Sequence, residues 1–318
     1  MTAMKEFLLG DSGIPVSCIT LGTDYYGKTI PREQAFELLD TYTGYGGRSI
    51  DTAHVYSDYL PGERHSSEKT IGEWLKSRRA RQNVVLATKG GFPQLDDYSV
   101  SRLTPEEIRS DLEESLLCLG VDYVDIYWLH RDDPCKDCSM FIEVLEGFRK
   151  EGLIRSYGLS NFTASRVREA DREAVKRGFG PVPAVQIKWG LAKTALGRVY
   201  DKTLAEMDDG YFGFLEKSGK ALFAYSSQAK GFFSKLKFDG EGNPLMEPGK
   251  CRDRYFCAEN VEIYKRLSGE ARMRGMPVAE LAMRKMLEAP FPVSLIVGSR
   301  TREQLESSLK SGCESSGN

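Results

Sequence analysis

The sequence predicts a single-domain α/β fold, a (β/α)8 TIM barrel spanning residues 1–318. Three observations predict it. Eight short β-rich runs recur along the chain, and the stretches between them carry apolar residues at helical spacing. The ends of the first seven runs fall roughly 30–40 residues apart, the length of one β/α unit. The G-x-G-x-x-G fingerprint that a doubly wound open sheet normally carries after its first strand occurs nowhere in the chain.

The eight runs are Cys18–Leu21, Ser49–Asp51, Val84–Ala87, Val124–Leu129, Ser156–Leu159, Ala184–Ile187, Ala221–Ala224 and Val293–Val297. Pro31-Arg32-Glu33 opens the first helix, with proline in the first turn, where a missing N–H is harmless. Thr104-Pro105-Glu106-Glu107 opens another: Thr104 caps, and Glu107 is expected to reach back to its amide. Ile108, Leu112, Leu116 and Leu119 then form a stripe that Gly120 stops. The last connection, from Tyr225 to Gly298, is too long for one helix. It predicts an irregular stretch at 229–256, a helix near 258–274 and a second begun by Pro277 that runs to about Glu288. The 229–256 stretch is rich in glycine and proline and long enough to be a lid or a belt around a cofactor.

Composition excludes several classes. The 318 residues carry 44 Lys+Arg against 46 Asp+Glu, a formal charge of −2, without the basic excess of a nucleic-acid binder. No apolar run approaches the roughly 18 residues of a membrane span, and the first residues lack an apolar signal core. The seven cysteines do not form a disulfide framework at this length, so a cytoplasmic setting is expected.

Strand ends of a barrel converge on one pocket. The second strand is followed by Asp51-Thr52-Ala53-His54-Val55-Tyr56, the third by Thr88-Lys89-Gly90 and the fourth by Leu129-His130-Arg131. One carboxylate, one phenol, one ammonium and one imidazole thus arrive from three consecutive strands. An unperturbed tyrosine titrates near 10, and a neighbouring ammonium is expected to lower that value by favouring the phenolate. Asp51 would hold the ammonium, and His130 would orient a substrate carbonyl or donate to it. The set is a proton relay for a carbonyl–alcohol pair. Alone, Asp-x4-Tyr is an ordinary loop; the company of Lys89 and His130 makes it a site.

From these residues outward, the chain resembles the aldo-keto reductases. The resemblance rests on Leu21-Gly22-Thr23, the segment from Ser49 to Tyr56, Ala87-Thr88-Lys89, Leu129-His130, Gly158-Leu159-Ser160-Asn161-Phe162, Val185-Gln186 and Ala224-Tyr225-Ser226-Ser227. It covers roughly residues 5–310, and each segment stands at a strand end. It implies a TIM barrel that binds NADPH, usually in preference to NADH, and reduces an aldehyde, ketone or sugar carbonyl to an alcohol. It implies Tyr56 as general acid–base, tuned by Lys89 and Asp51, with His130 positioning the carbonyl and no metal required. Ser160, Asn161 and Gln186 match residues that hydrogen-bond the nicotinamide carboxamide, Tyr225 the ring on which the nicotinamide stacks, and Gly22-Thr23 the turn close to it. Ser226, Ser227, Gln228 and Lys230 match the loop along the pyrophosphate. Gly298, Ser299, Arg300 and Gln304 match the adenosine end, where Ser299 and Arg300 would grip a 2′-phosphate. A lysine common in relatives is Gly298 here, so NADP preference rests on Arg300 and Gln304.

Substrate contacts are expected from Tyr25, Tyr26, Arg131 and Trp189. Arg131 would select an anionic or hydroxylated substrate or pair with Asp132 or Asp133; Trp189 would wall the pocket or pack in the core. His54 reads as a packed strand-end residue and His65 as a solvated loop residue. Cys135-Lys136-Asp137-Cys138 lacks the second pair of a zinc ribbon and reads as a surface loop. Ser311 to Asn318 reads as a mobile polar tail, which leaves the pocket open or covered by loops near 131–140, 190–210 and 229–256. The expected partner is a small molecule, with neither nucleic acid nor membrane, for a monomer or homo-oligomer. The resemblance also admits a nucleotide-binding redox sensor with little turnover, as in regulatory subunits of channels, a reading that would want an added N-terminal segment or a partner surface.

Overall fold

The computed structural model describes residues 4–195, 201 and 203–313. It opens with a hairpin of two three-residue strands, β1 (Glu6–Leu8) and β2 (Pro15–Ser17). The alternation then runs β3 (Ile19–Gly22), α1 (Arg32–Gly44), β4 (Ser49–Asp51), α2 (Ser66–Arg78), β5 (Val85–Gly90), α3 (Pro105–Leu119) and β6 (Val124–Leu129). It continues with α4 (Cys138–Glu151), β7 (Ile154–Ser160), α5 (Ala164–Lys176), β8 (Ala184–Lys188), α6 (Asp209–Ser218) and β9 (Ala221–Tyr225). After β9 come α7 (Phe232–Lys235), β10 (Lys237–Phe238), β11 (Pro244–Leu245), α8 (Lys250–Tyr255), α9 (Ala258–Met273), α10 (Val278–Leu287), β12 (Val293–Val297) and α11 (Arg302–Leu309). Eight parallel strands, β3 to β9 and β12, close into a barrel, and β12 pairs with both β3 and β9. All eight predicted runs are barrel strands. No helix among the described residues is long and apolar enough to cross a membrane.

Strands β5 and β6 are buried along their whole lengths, as strands covered on both faces must be. Inside the barrel Trp128 meets Phe223 edge to face, with ring centroids 4.9 Å apart. A Cβ at Gly158 would collide with the Trp128 ring, so only glycine leaves room for it. Burying a side chain such as Phe223 contributes about 1.5–3 kcal/mol. The N-terminal hairpin, which the eight-run pattern does not contain, joins this interior. Leu9, Ile14 and Val16 are buried with Val85, Ile126, Ala184 and Ala221 in one apolar cluster.

The Thr104 hydroxyl caps α3 by accepting from the Glu107 amide, and Gly120 ends the helix at φ +64°. Ile108, Leu112, Leu116 and Leu119 are its buried stripe. The capping box differs in one detail. The Glu107 carboxylate accepts from the Thr104 hydroxyl at 3.0 Å, where the sequence pattern anticipates the Thr104 amide.

Two expectations are corrected. The 229–256 stretch is ordered into α7, the β10–β11 hairpin and α8. Phe232, Phe233, Leu236, Met246, Cys251 and Tyr255 bury against Val261, Leu267 and Leu281 of α9 and α10 in a second apolar cluster. The tail begins later than expected: Ser311, Gly312 and Cys313 are buried. The Gly312 carbonyl accepts from the Lys5 amide at 3.0 Å, which ties this segment to the N-terminal one. Residues 314–318 lie outside the described residues.

Glu68, in the first turn of α2, is fully buried and accepts from the Thr88 hydroxyl at 2.5 Å. Burial pushes its carboxyl up to about 7 from 4.5. The folded chain therefore holds this proton more tightly than the unfolded one, so stability falls as pH rises from about 4.5 to 7 and stays lower above that. Glu68→Gln cannot ionise. It should be more stable than the parent by ~2–3 kcal/mol at pH 8, with the advantage shrinking to nothing below about pH 4.5. Urea unfolding across that range checks it; an advantage independent of pH would show that ionisation of Glu68 is not the cause.

Candidate active site

Three neighbouring strands deliver the polar cluster. Asp51 ends β4, Lys89 stands one residue before the end of β5, and His130 follows β6 directly. Tyr56 sits in the loop between β4 and α2. That loop starts from a fixed base: the Thr52 amide donates to the Ala87 carbonyl at 2.9 Å and the His54 amide to the Lys89 carbonyl at 3.0 Å.

The Lys89 ammonium is fully buried and has three N–H bonds, each with an acceptor. They reach Asp51 Oδ2 at 2.5 Å, the Thr52 carbonyl at 2.7 Å and the Tyr56 phenol oxygen at 2.8 Å. Asp51 Oδ1 accepts from Gln186 Nε2 at 3.0 Å, across the barrel. The Asp51 carbonyl takes the Thr23 amide and hydroxyl at 3.2 and 3.1 Å. The Tyr56 and His130 rings meet edge to face, 5.9 Å between centroids. The four residues predicted as a relay are therefore gathered at one end of the barrel.

The electrostatics differ from the expected in one respect. Burial, then the Asp51 and Asp24 carboxylates, raise the Tyr56 phenol well above 10, so Lys89 does not bring it toward a phenolate. Loss of solvent disfavours the phenolate most, and the two carboxylates it would face disfavour it further. Burial also holds His130 well below its ordinary value, followed by repulsion from Arg131 and Lys89, so its imidazole is neutral. Its Nδ1 is buried without a partner, and Phe92 stacks against it edge to face at 4.9 Å. Because Lys89 donates to the Tyr56 oxygen, the phenol's own proton is left to point elsewhere. Such a phenol can hand a proton to an oxygen placed before it.

Asp24 is a residue the sequence reading missed. It follows Thr23 directly, its Oδ1 is buried without a partner, and burial raises its carboxyl. The signal available was only its place one residue past the Leu-Gly-Thr turn.

The other predicted residues fall as follows. Gly22 is tight against β12, since a Cβ there would touch Ile296. Ser160 ends β7, Asn161 follows it directly and Gln186 lies within β8, and all three are buried. The Asn161 side chain is engaged within the protein: it donates to the His130 carbonyl at 3.1 Å and accepts from the Tyr225 hydroxyl at 2.6 Å. The loop after β9 holds Ser226, Ala229 and Lys230 at φ of +56°, +46° and +55°, a backbone that non-glycine residues adopt at a cost. Ser227 donates to the Ile296 carbonyl, whereas Gln228 turns to the Ser308 hydroxyl at 2.8 Å. The Lys230 ammonium is pulled below its ordinary value, first by loss of solvent and then by Arg254 and Lys250, with Arg300 adding to them. Gly298 is exposed, while Ser299 is buried with an unpartnered hydroxyl. The Gln304 carbonyl oxygen accepts from the Arg300 amide at 3.0 Å, and Thr301 caps α11.

Of the substrate candidates, Tyr26 is corrected: it is fully buried within the hydrophobic core and presents no accessible surface. Tyr25 lies under the Arg300 guanidinium, 5.3 Å from ring centre to carbon. Trp189 takes the packing alternative, with Phe212 and Phe291 rings at 6.3 and 6.2 Å. Arg131 pairs with neither predicted aspartate. It bonds the Thr203 hydroxyl at 3.1 Å and faces Asp201 at 3.4 Å, while Asp132 is held by Arg166 at 2.9 Å. The 190–210 loop that brings Asp201 there lies partly outside the described residues. Cys135 is exposed in its loop, and Cys138 is buried at the start of α4, its thiol toward the Arg166 carbonyl. His54 is packed as expected, but His65, read as solvated, is buried too.

Residues 18–314 match the model of the Aldo/keto reductase family. The chain is 29% identical over 322 residues to norsolorinic acid reductase stcV of Emericella nidulans, covering 94% of this chain and 75% of that protein. It is 25% identical to Protein tas of Escherichia coli, covering 97% and 93% of the two. Among solved structures it resembles the holo form of aldo-keto reductase AKR11C1 from Bacillus halodurans, with a TM-score of 0.71, 23% identity and coverage of 97% and 90%.

Proposed function

The chain belongs to the aldo/keto reductase family, oxidoreductases of carbonyl compounds, and from that premise we propose that it reduces an aldehyde, ketone or sugar carbonyl with NADPH, Tyr56 giving the proton. One observation carries this reading: all three N–H bonds of Lys89 are committed, one of them to the Tyr56 oxygen. The phenol is thereby turned as a donor, and its high affinity for the proton keeps it loaded at neutral pH. After the transfer, the same Lys89 N–H stabilises the phenolate. Asp51 keeps the ammonium charged in a buried place, and Gln186 keeps Asp51 in position. Neutral His130 serves to orient the carbonyl oxygen by hydrogen bonding.

A nicotinamide cofactor, when bound, supplies the hydride. The residues at the barrel mouth suit it. Ser160, Gln186 and Asn161, buried together beside the relay, would hold its carboxamide, and Tyr225 would offer the stacking ring. Lys230, Lys250, Arg254 and Arg300 gather positive charge with a buried, unpartnered Ser299 hydroxyl nearby, a set that fits phosphate oxygens. Barrels commonly hold phosphate at the loops after their last two strands. A pyrophosphate is common to NADH and NADPH, so the preference for NADPH rests on Arg300 at the adenosine end; the 229–256 segment would flank the phosphates, and Arg131 would offer a donor to a hydroxylated substrate.

Oxidation of NADPH and of NADH, followed at steady state with a panel of aldehydes, ketones and sugars, tests the reading. Turnover of at least one class with NADPH is expected, and slower turnover with NADH. Cofactor binding without turnover of any compound would favour a nucleotide-binding sensor instead.

A further inference from the structure

The chain has three histidines, and two of them have no part in the relay. His54 and His65 stand at the two ends of the loop that carries Tyr56, and both are buried. Their rings face each other at 4.3 Å between centroids. Both Nε2 atoms point at one carboxylate, that of Glu114 on α3. His54 Nε2 is 2.8 Å from Oε2, and His65 Nε2 is 3.4 Å from Oε1. The ligand atoms of the three residues all lie within 4.8 Å of one another.

The hydrogen-bond logic singles this cluster out. His65 Nδ1 is 2.7 Å from the His54 carbonyl, which can only accept, so Nδ1 carries a proton. That leaves Nε2 as the nitrogen available to a metal ion, and it is aimed at the Glu114 carboxylate. The outward nitrogens are arranged as they are around metal-bound imidazoles. His65 Nδ1 has the His54 carbonyl and, at 3.4 Å, Asp58; His54 Nδ1 looks toward Asp111 at 3.8 Å. Tetrahedral zinc with bonds of about 2.0–2.1 Å accepts imidazole and carboxylate ligands together. Glu114 is half-exposed, so it can adjust to the ion and admit it from solvent.

We propose that His54, His65 and Glu114 bind a divalent transition-metal ion, zinc being the best match, as a clip that fastens both ends of the Tyr56 loop to α3. The site is separate from the relay: among the described residues, its three side chains bond to one another and to Asp58, Asp111 and the His54 carbonyl, while Lys89 bonds Asp51, Thr52 and Tyr56. Its role is to hold the loop.

The test is competition of the purified, metal-free full chain against a chromophoric zinc chelator, beside Glu114→Gln and Glu114→Ala. These variants change a partly exposed residue and should fold. The parent should take up one zinc that both variants lose or bind at least 10–100-fold more weakly. Added zinc should raise the parent's thermal midpoint and leave the variants' unchanged. Cobalt in place of zinc should give the absorption of a tetrahedral nitrogen–oxygen site in the parent alone. Equal zinc affinity in parent and variants, or no uptake by the parent at about 10-fold excess, would overturn the proposal. Zinc uptake can be read whether or not the chain reduces any carbonyl, so its failure is distinct from failure of the proposed function.

Discussion

Tyr56→Phe should lower the turnover number by about 10²–10⁴-fold, the usual contribution of a positioned general acid, and leave the cofactor dissociation constant within about twofold. The substitution removes one hydroxyl from a half-buried ring. Lys89 then loses one of three acceptors but keeps Asp51 Oδ2 and the Thr52 carbonyl, so the ammonium stays paired and the barrel stays intact. The loss falls on proton transfer alone, because no other group among the described residues is placed to replace the phenol: His130 is neutral, and its Nδ1 is buried. The parent's rate has its own signature. The phenol is held well above 10, so carbonyl reduction should show no fall between about pH 6 and 9 from loss of that proton. Stopped-flow reduction together with cofactor titration by fluorescence separates the two quantities. If the Tyr56→Phe variant retained more than about a tenth of the parental rate, the proton would come from elsewhere, and the reading of the Lys89 hydrogen bonds would lose its consequence.

How much of this was legible beforehand depended on the range of the interactions. Barrel strands announce themselves because each is a short apolar run ending in a polar residue, as in Val124–Leu129 followed by His130. Helix starts and stops are equally local, as Thr104 and Gly120 show. The hairpin β1–β2 was invisible for the opposite reason. Its strands have three residues each and Pro15 opens the second, so nothing in its periodicity distinguishes it from a loop. Its role appears only when Leu9 and Ile14 meet Val85 and Ile126, far along the chain. The 229–256 stretch misled through composition: its glycines and prolines mark turns between short elements, and Phe232, Phe233 and Tyr255 between them are what order it. At the site, the relay was legible because its members lie at predictable strand ends. The partners of Arg131 and His65 and the burial of Asp24 were not, since a charged residue's surroundings are chosen by tertiary proximity, as Asp201 is for Arg131. The direction of the Tyr56 shift was missed for a related reason. Sequence names the neighbouring ammonium but not the depth of burial, and here burial outweighs it.

Lys89→Met should be the more damaging change to the folded chain. The Lys89–Asp51 pair is wholly buried on both sides. Removing the ammonium leaves Asp51 as an unpaired buried carboxylate, with only the Gln186 amide on its other oxygen. Breaking a buried pair from one side destabilises by about 3–5 kcal/mol, much of it the desolvation of the charge left behind. Turnover should vanish with it, since the phenol loses both its orienting donor and the cation that stabilises its anion. A second substitution separates the two effects. Lys89→Met combined with Asp51→Asn removes the orphaned charge while keeping an amide of the same shape for Gln186. Stability should return to within about 1–2 kcal/mol of the parent, and activity should not return at all. Urea denaturation and turnover on the parent, both single variants and the double complete the cycle. A Lys89→Met chain within about 1 kcal/mol of the parent would mean that the ammonium is not held by a stabilising ion pair with Asp51. The ammonium would then have no carboxylate to hold it beside Tyr56, and the whole electrostatic arrangement of the site would have to be redrawn from that point.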